Sequence, residues 1–336
     1  MTLSPARSSR TMALLLLSAL LAAMVASLHV GLRTYDPDTI WRGLTGGIET
    51  DEIIVRSLRL PRTLIAITAG ASLALSGLIM QAATRNPLAE PGLLGTNAGA
   101  AFAVTVGLSV FGYSGLLQVG GFAILGALVT TAVVFALTLR LGPNAGRATI
   151  LLVGVTIAAM LASLTQILLL VDETALETLL FWLSGGFADR DLRLLWLGCG
   201  LLGLVLVGLV AIAGSIDALQ LDDASARGIG VDVMRTRMLA LGAAALLAAG
   251  AVAMAGPVMF LGLVAPHMAM RLTRRRPAFL TLAGLTMLSG ALVAVLADIL
   301  ARLIVAPGEA PIGAVLAIVG VPVLIALLRK RGARAA

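Results

Sequence analysis

The sequence predicts an all-α protein that crosses a membrane about ten times, and three observations carry that reading. Of its 336 residues, 59% are hydrophobic and only 12% charged, with a mean hydropathy of +1.04. A water-soluble domain carries roughly 25% charged residues, so this chain has too little polar surface to face water on every side. Apolar runs close to the ~20 residues that span a bilayer then recur along the chain, at 12–30, 62–83, 92–111, 116–139, 148–171, 194–213, 238–255, 258–270, 278–297 and 311–328. The charges between these runs alternate in sign along the chain. If the N-terminus is inside, the inner segments hold 16 of the 24 basic residues, including Arg85, Arg140, Arg147, Arg235, Arg237, Arg274, Arg275, Arg276, Arg329 and Lys330. Twelve of the 17 acids fall outside, among them Asp36, Asp38, Glu49, Asp51, Glu52, Asp172 and Glu173. Basic residues collect on the cytoplasmic side of membrane proteins, so both termini are expected in the cytoplasm. The high pI follows from topology and implies no nucleic acid.

The elements follow in order. Arg7 and Arg10 precede the first run, and "VAS" resembles a signal-peptide cleavage site. The apolar stretch from Met12 to Leu28 is longer than the 7–15 residues of a signal core, so it is expected to remain as a helix. Next, outside, "RSLRLPR" places Arg56, Arg59 and Arg62 just before the second run, and Arg302 follows "LADIL" at the outer end of the ninth. Arginine is scarce on that face, so these positions need a reason. They either pair with Glu49, Asp51 and Glu52 or form a docking surface for an acidic partner. "TRNPLAEPGLLGTNAGA" (84–100) is an inner loop rich in Gly, Pro and Asn.

Cys199 is the sole cysteine and lies within a run, which excludes disulfides and multi-cysteine metal sites. The longest inner connection, "DALQLDDASARGIGVDVMR" (217–235), holds a helix-compatible stretch from Leu221 to Arg227. Gly228 and Gly230 close it, glycine being the usual helix stop. A short helix there can lie on the membrane or dock onto a soluble partner. Asp222-Asp223 also suggests a paired-carboxylate Mg²⁺ site, but Glu90, Asp217 and Asp232 supply no second acidic cluster. ATP hydrolysis by this chain is excluded, because the one lysine, Lys330, sits in no phosphate-binding loop.

"GPVMFLGLVAPHMAMR" (256–271) breaks the pattern. The run before it travels outward, yet Arg274 to Arg276 belong inside. The chain must therefore return in about 13 residues, or ~20 Å of helix, against a hydrocarbon core of ~30 Å. Such a short, proline-interrupted element is tolerated only where protein or a water-filled cavity surrounds it, and broken helices recur in transporters. His267 has no acidic or cysteine neighbour in sequence and is expected to tie down the broken helix end with a hydrogen bond.

Seven blocks in order, "RLPR" (59–62), "QAATRNPLAEPGLLGTNAGA" (81–100), "FWLSGGF" (181–187), "ASARGIGV" (224–231), "AGPVMFLGLVAPH" (255–267), "ADILAR" (297–302) and "EAPIGAVLAIVGVPVLIALL" (309–328), resemble the permease family of ABC importers for ferric siderophores, haem and vitamin B12. The resemblance implies a type II importer fold, with residues 1–336 forming a single transmembrane permease domain and a coupling loop at about 214–237. It implies a dimer with a second copy or a paralogue, two ABC ATPase subunits that bind ATP and Mg²⁺, and a periplasmic or lipid-anchored substrate-binding protein. No cofactor or metal is implied in this chain. By resemblance, Arg59, Arg62 and Arg302 dock the binding protein. Asp222, Asp223, Ala226, Arg227, Gly228 and Gly230 belong to the ATPase coupling helix, and Asn86 and Leu88 to a cytoplasmic gate. Asp222-Asp223 stands where the family has Gly-Glu, and Glu309-Ala310-Pro311 where it has Glu-Leu-Pro. A ferric siderophore is the expected cargo, with cobalamin and haem as alternatives. An ion-coupled secondary transporter, the rival class, needs intramembrane ionisable residues, and Asp298 is the clear candidate within the runs.

Overall fold

In the computed structural model the described residues are 9–31, 33–113, 115–141, 147–171, 173–188, 191–273, 277–304, 310–318, 320 and 322. They are helical throughout: α1 (Ser9–His29), α2 (Pro37–Thr45), α3 (Thr50–Ile54), α4 (Leu60–Thr84), α5 (Thr96–Ser109), α6 (Leu116–Arg140), α7 (Arg147–Leu169), α8 (Glu173–Leu183), α9 (Leu192–Ala218), α10 (Asp223–Gly228), α11 (Val233–Ala255), α12 (Leu261–Leu272) and α13 (Phe279–Ile304). Among these residues seven helical stretches are long and apolar enough to cross a membrane. The end that the charge asymmetry assigns to the outside is called the outer end below.

Two of the ten expected runs have a different form. The run at 92–111 is a 3₁₀ turn, Pro91–Leu94, followed by the 14-residue α5. The run at 258–270 is a stretch without regular secondary structure leading into the 12-residue α12. At 1.5 Å per residue these helices reach about 21 and 18 Å, short of the hydrocarbon core. The run at 311–328 is described only in part, with 312–318 helical. The basic residues Arg7, Arg274 to Arg276, Arg329, Lys330, Arg331 and Arg334 lie outside the described residues, as does Glu309.

α4 is the central helix, buried along almost its whole length and packed on α11, α12, α13 and α9. Its small residues make this possible. A Cβ added at Gly77 would lie 1.9 Å from the Gly262 carbonyl oxygen of α12, and one at Gly70 would lie 2.7 Å from the Gly290 carbonyl oxygen of α13. Close backbone approach at small residues is how helices associate without a hydrophobic driving force between them. Gly77→Leu should therefore force α12 away from α4 and cost about 1–3 kcal/mol or more. Its thermal unfolding in nanodiscs should shift down, whereas Gly208→Ala, with nothing within 4 Å of the added carbon, should leave it unchanged.

α3, a π-helical turn at Val55–Arg59 and α4 form one continuous stretch of 35 residues. Pro61, near the start of α4, has no N–H to give to the preceding turn. The helix widens there, with the Leu60 N–H reaching the Val55 carbonyl, five residues back. This wider turn carries Arg59.

The break between α11 and α12 is built from local chemistry. Gly256 has φ +70°, and a Cβ there would meet the Trp182 carbonyl oxygen at 2.4 Å, so only glycine fits. Residues 257–259 have no regular secondary structure, and Phe260 takes the left-handed conformation (φ 68°) as the N-cap of α12. Because Gly262 lies against Gly77, seven residues before the end of α4, α12 starts at a level roughly 10 Å short of the inner end of α4. Pro266 leaves the Gly262 carbonyl without its helical donor, and the amide of the buried Gln81 on α4 points at it from 3.4 Å. The His267 Nδ1 lies 2.8 Å from the Leu263 carbonyl, so it carries the proton and donates. The expected hydrogen bond is present, made within α12 rather than to a neighbouring element.

Candidate functional site

At the outer end, Arg59, Arg62 and Arg302 lie close together and turn inward. Arg62 and Arg302 share one carboxylate partner, Asp298, which is fully buried on α13. Arg62 Nε lies 2.9 Å from Asp298 Oδ1 and Nη2 lies 2.8 Å from the same oxygen, while Arg302 pairs with Oδ2 from one turn along α13. Arg302 Nη1 also donates to the Ser27 carbonyl and Nη2 to its hydroxyl, both at 3.0 Å. The Thr63 hydroxyl donates to the Arg59 carbonyl (2.8 Å), so the Ser27 hydroxyl supplies the proton for the 2.8 Å Ser27–Thr63 contact. Arg59 donates to the carbonyls of Leu28 (2.6 Å), His29 (3.0 Å) and Arg33, under the Tyr35 ring, whose centroid is 4.2 Å from its guanidinium carbon. The cluster ties the ends of α1, α4 and α13 together.

Two of the nearby acids, Asp51 and Glu52, lie beside other arginines. Asp51 lies 3.9 Å from Arg33, Glu52 4.0 Å from Arg42, and Glu52 also accepts the Glu49 N–H at 2.9 Å. Arg62 borders a 370 Å³ outer pocket lined also by Ser57, Leu58, Pro61, Ile65, Leu116, Phe187 and Asp191, and Arg56 is exposed nearby. Asp298, the candidate ion-coupling residue, is thus engaged with two arginines at the outer end.

At the inner end the loop after α9 forms α10, starting at Asp223 rather than Leu221. Asp222 is its N-cap, accepting from the N–H groups of Ala224 (3.1 Å) and Ser225 (2.9 Å) and from the Ser225 hydroxyl (2.6 Å). The hydroxyl and backbone N–H of Ser225 hold the Asp222 carboxyl below the usual carboxylate range. The cap is therefore intact at neutral pH and lost as pH falls through that lowered pKa. Ala226 is buried against Leu219 and Val233 and anchors the helix. Arg227, Gly228 and Gly230 are exposed, with Gly230 at φ +84°. Ile229 (65% exposed) and Leu221 (48%) stand beside them in water.

Asp223 turns inward, unlike the exposed Asp222, Arg227, Gly228 and Gly230. Its Oδ1 accepts from Arg85 Nη2 at 2.9 Å and its Oδ2 from Arg237 Nη2 at 3.3 Å. Arg237 Nε also reaches the Ala83 carbonyl (3.2 Å), and Arg85 Nε the Leu219 carbonyl.

Asn86 and Leu88 sit in the connection from α4 to the 3₁₀ turn. Asn86 Oδ1 accepts the Leu88 N–H at 2.9 Å, an Asx turn that folds the tip back. Leu88 is 47% exposed while Ala89 is buried. The segment then climbs into the protein, where Gly95 packs against Thr130 and Gly154, and the Glu90 carboxylate lies 3.4 Å from the Phe260 N–H at the head of α12. Among the described residues no group of three or more metal-ligating side chains occurs.

Residues 19–330 match the model of the FecCD transport family. The chain belongs to that family. Among FecCD relatives, it is 36% identical over 319 residues to the ferric enterobactin transport system permease protein FepD of Escherichia coli K12, covering 94% of each chain. It is 38% identical over 285 residues to the vitamin B12 import system permease protein BtuC of Salmonella paratyphi A, covering 83% of this chain and 84% of that one. A solved structure described as an inward-facing metal-chelate type ABC transporter superposes with a TM-score of 0.82 at 28% identity, covering 96% of this chain and all of the other. As a FecCD member the chain is an ABC importer permease, a multi-pass membrane protein with the type II importer fold.

Proposed function

We propose that this permease moves a ferric siderophore across the cytoplasmic membrane, energised by separate ABC ATPases and loaded by an outer binding protein. The observation that carries the reading is the pairing of the FecCD fold with the short α10 and its flanks, which leave Leu221, Arg227, Gly228 and Ile229 exposed. A chain that binds no nucleotide needs such a surface to receive work from one that does. The siderophore assignment rests on relatives named for ferric enterobactin, siderophore and ferric dicitrate transport. Cobalamin is the second reading, favoured by the identity with the B12 permease. Both termini are placed in the cytoplasm, and the working unit is a dimer with a second copy or a paralogue.

The test is reconstitution with the cognate ATPase and binding protein, followed by uptake of a ferric catecholate, a ferric hydroxamate, cobalamin and haem. ATP-dependent uptake of a ferric siderophore is expected, and no hydrolysis by the permease alone. Cobalamin uptake without siderophore uptake would re-assign the cargo, and hydrolysis by the purified permease would overturn the reading.

The outer arginines are assigned unequal parts in docking. Arg62, at the rim of the outer pocket, is the one an acidic partner can reach, with Arg56 beside it, while Arg59 and Arg302 act from beneath by holding α1 and α13. Arg62→Ala should weaken binding-protein affinity and also lower thermal stability, because it removes one of the two arginines paired with the buried Asp298. Arg59→Ala and Arg302→Ala should lower stability first. High salt should weaken docking of the unmodified protein, since exposed charge pairs are screened.

A further inference from the structure

The carboxylate of Asp223 is the charged group of the coupling segment that turns toward the helix bundle. It bridges two guanidiniums on different elements. Arg85 is the residue directly after α4 and directly before Asn86, and Arg237 is buried in the first turns of α11. Each arginine also grips a backbone carbonyl at a helix end, Arg237 that of Ala83 in α4 and Arg85 that of Leu219 after α9. Cations at carbonyl ends of helices are favoured by the helix dipole, so both side chains are held in place before Asp223 arrives. Arg85 also sits at φ 50°, a conformation that few residues other than glycine and asparagine adopt. This left-handed step turns the chain from α4 into the Asn86–Leu88 tip. A 220 Å³ cavity lined by Leu78, Gln81, Ala82, Arg85, Pro87, Gln220 and Met270 lies alongside, leaving room for the tip to move.

We infer that Asp223 and Arg85 form a tether that carries the position of α10 to the Asn86–Leu88 tip, so that movement of α10 by its ATPase opens or closes the inner end. The inference rests on the importer reading above. The physical basis is distance: one ion pair of 2.9 Å joins α10 to the residue that begins the tip, with no intervening element. The exposed Arg227 and Ile229 can receive the push, and Asp223 passes it on. Asp223 and Arg85 are positioning residues in this scheme, acting on the tip rather than on the cargo.

The experiment compares the unmodified transporter with Arg85→Asn, Arg85→Lys and Asp223→Asn in nanodiscs with ATPase and loaded binding protein. It reads ATPase assembly, ATP turnover and chelate moved per ATP. Asparagine tolerates the left-handed conformation, so Arg85→Asn removes the guanidinium while keeping the turn. Assembly and turnover should persist in Arg85→Asn, and chelate moved per ATP should fall about tenfold, within the usual range for coupling between sites. Arg85→Lys, which keeps the charge, should recover at least about half of the loss. A probe on a cysteine at Leu88, in a Cys199→Ser background, should lose its nucleotide-dependent change in accessibility in Arg85→Asn.

Unchanged transport per ATP and unchanged Leu88 accessibility in Arg85→Asn would overturn the tether. Loss of ATPase assembly in Asp223→Asn, with Arg85→Asn assembling normally, would make Asp223 a partner contact and overturn it as well. Failure of the unmodified protein to transport any chelate would refute the importer reading itself, a result separate from either.

Discussion

Asp298→Asn should be the most damaging single substitution at the outer end. Asp298 is fully buried and satisfies two guanidiniums, Arg62 and Arg302, whose side chains are only 10% and 6% exposed. Removing one partner of a buried ion pair costs about 3–5 kcal/mol, because the opposite charge is left uncompensated in low dielectric. Here two charges lose their partner, with Arg59 close by. The expected result is poor recovery of folded protein and a large fall in thermal stability, with α1 loosened because its carbonyls at Ser27, Leu28 and His29 depend on Arg302 and Arg59. Asp298→Asn combined with Arg302→Gln removes the excess charge and should regain part of the loss. Unfolding midpoints in nanodiscs measure this. A single variant as stable as the unmodified protein would mean that water or lipid headgroups already compensate these arginines.

The second large effect is expected at the ATPase surface. Gly228→Leu meets nothing within 4 Å inside this chain, and Ile229→Asp changes a side chain already in water. Neither should disturb folding. Apolar anchors at interface centres are worth 2 kcal/mol or more, or about 30-fold in affinity. Both variants should insert normally while losing ATPase capture and nearly all uptake, as read by pull-down and transport. Ala226→Asp should behave differently, because Ala226 packs under α10 against Leu219 and Val233. It should destabilise the loop before any partner is added. Asp223→Arg is a poor probe of the ATPase contact, since it would set a third cation beside Arg85 and Arg237. If Gly228→Leu and Ile229→Asp capture the ATPase normally, the contact lies elsewhere on the loop.

Much of this was legible in one dimension. Apolar run length, the sign of the intervening charges and the breakers of 256–271 are local properties, and lipid allows backbone polar groups few other solutions than helices. The proline and glycines of the break predicted a short element, and α12 is one. Arg59, Arg62, Arg302 and the Asp222–Gly230 segment stood out as well, since they lie at helix ends where charge or helix-breaking chemistry is out of place. Residue type did not tell which way each side chain turns. Asp222 and Asp223 are adjacent and chemically identical, yet one caps α10 in water and the other is drawn inward by Arg85 and Arg237.

Asp298 meets Arg62 across 236 positions of sequence, a pairing set by how α4 and α13 cross at Gly70 and Gly290. The depth of the Pro91–Leu94 turn is likewise set by neighbours, because Gly95 can rise into the bundle only where Gly154 and Thr130 leave space. The sequence by itself determined that the chain lives in a membrane, where its helices run and which residues were out of place. Only the tertiary structure decided which charges face one another. A charge is costly in low dielectric until a partner of opposite sign arrives, and that partner is supplied by helix packing rather than by neighbours along the chain.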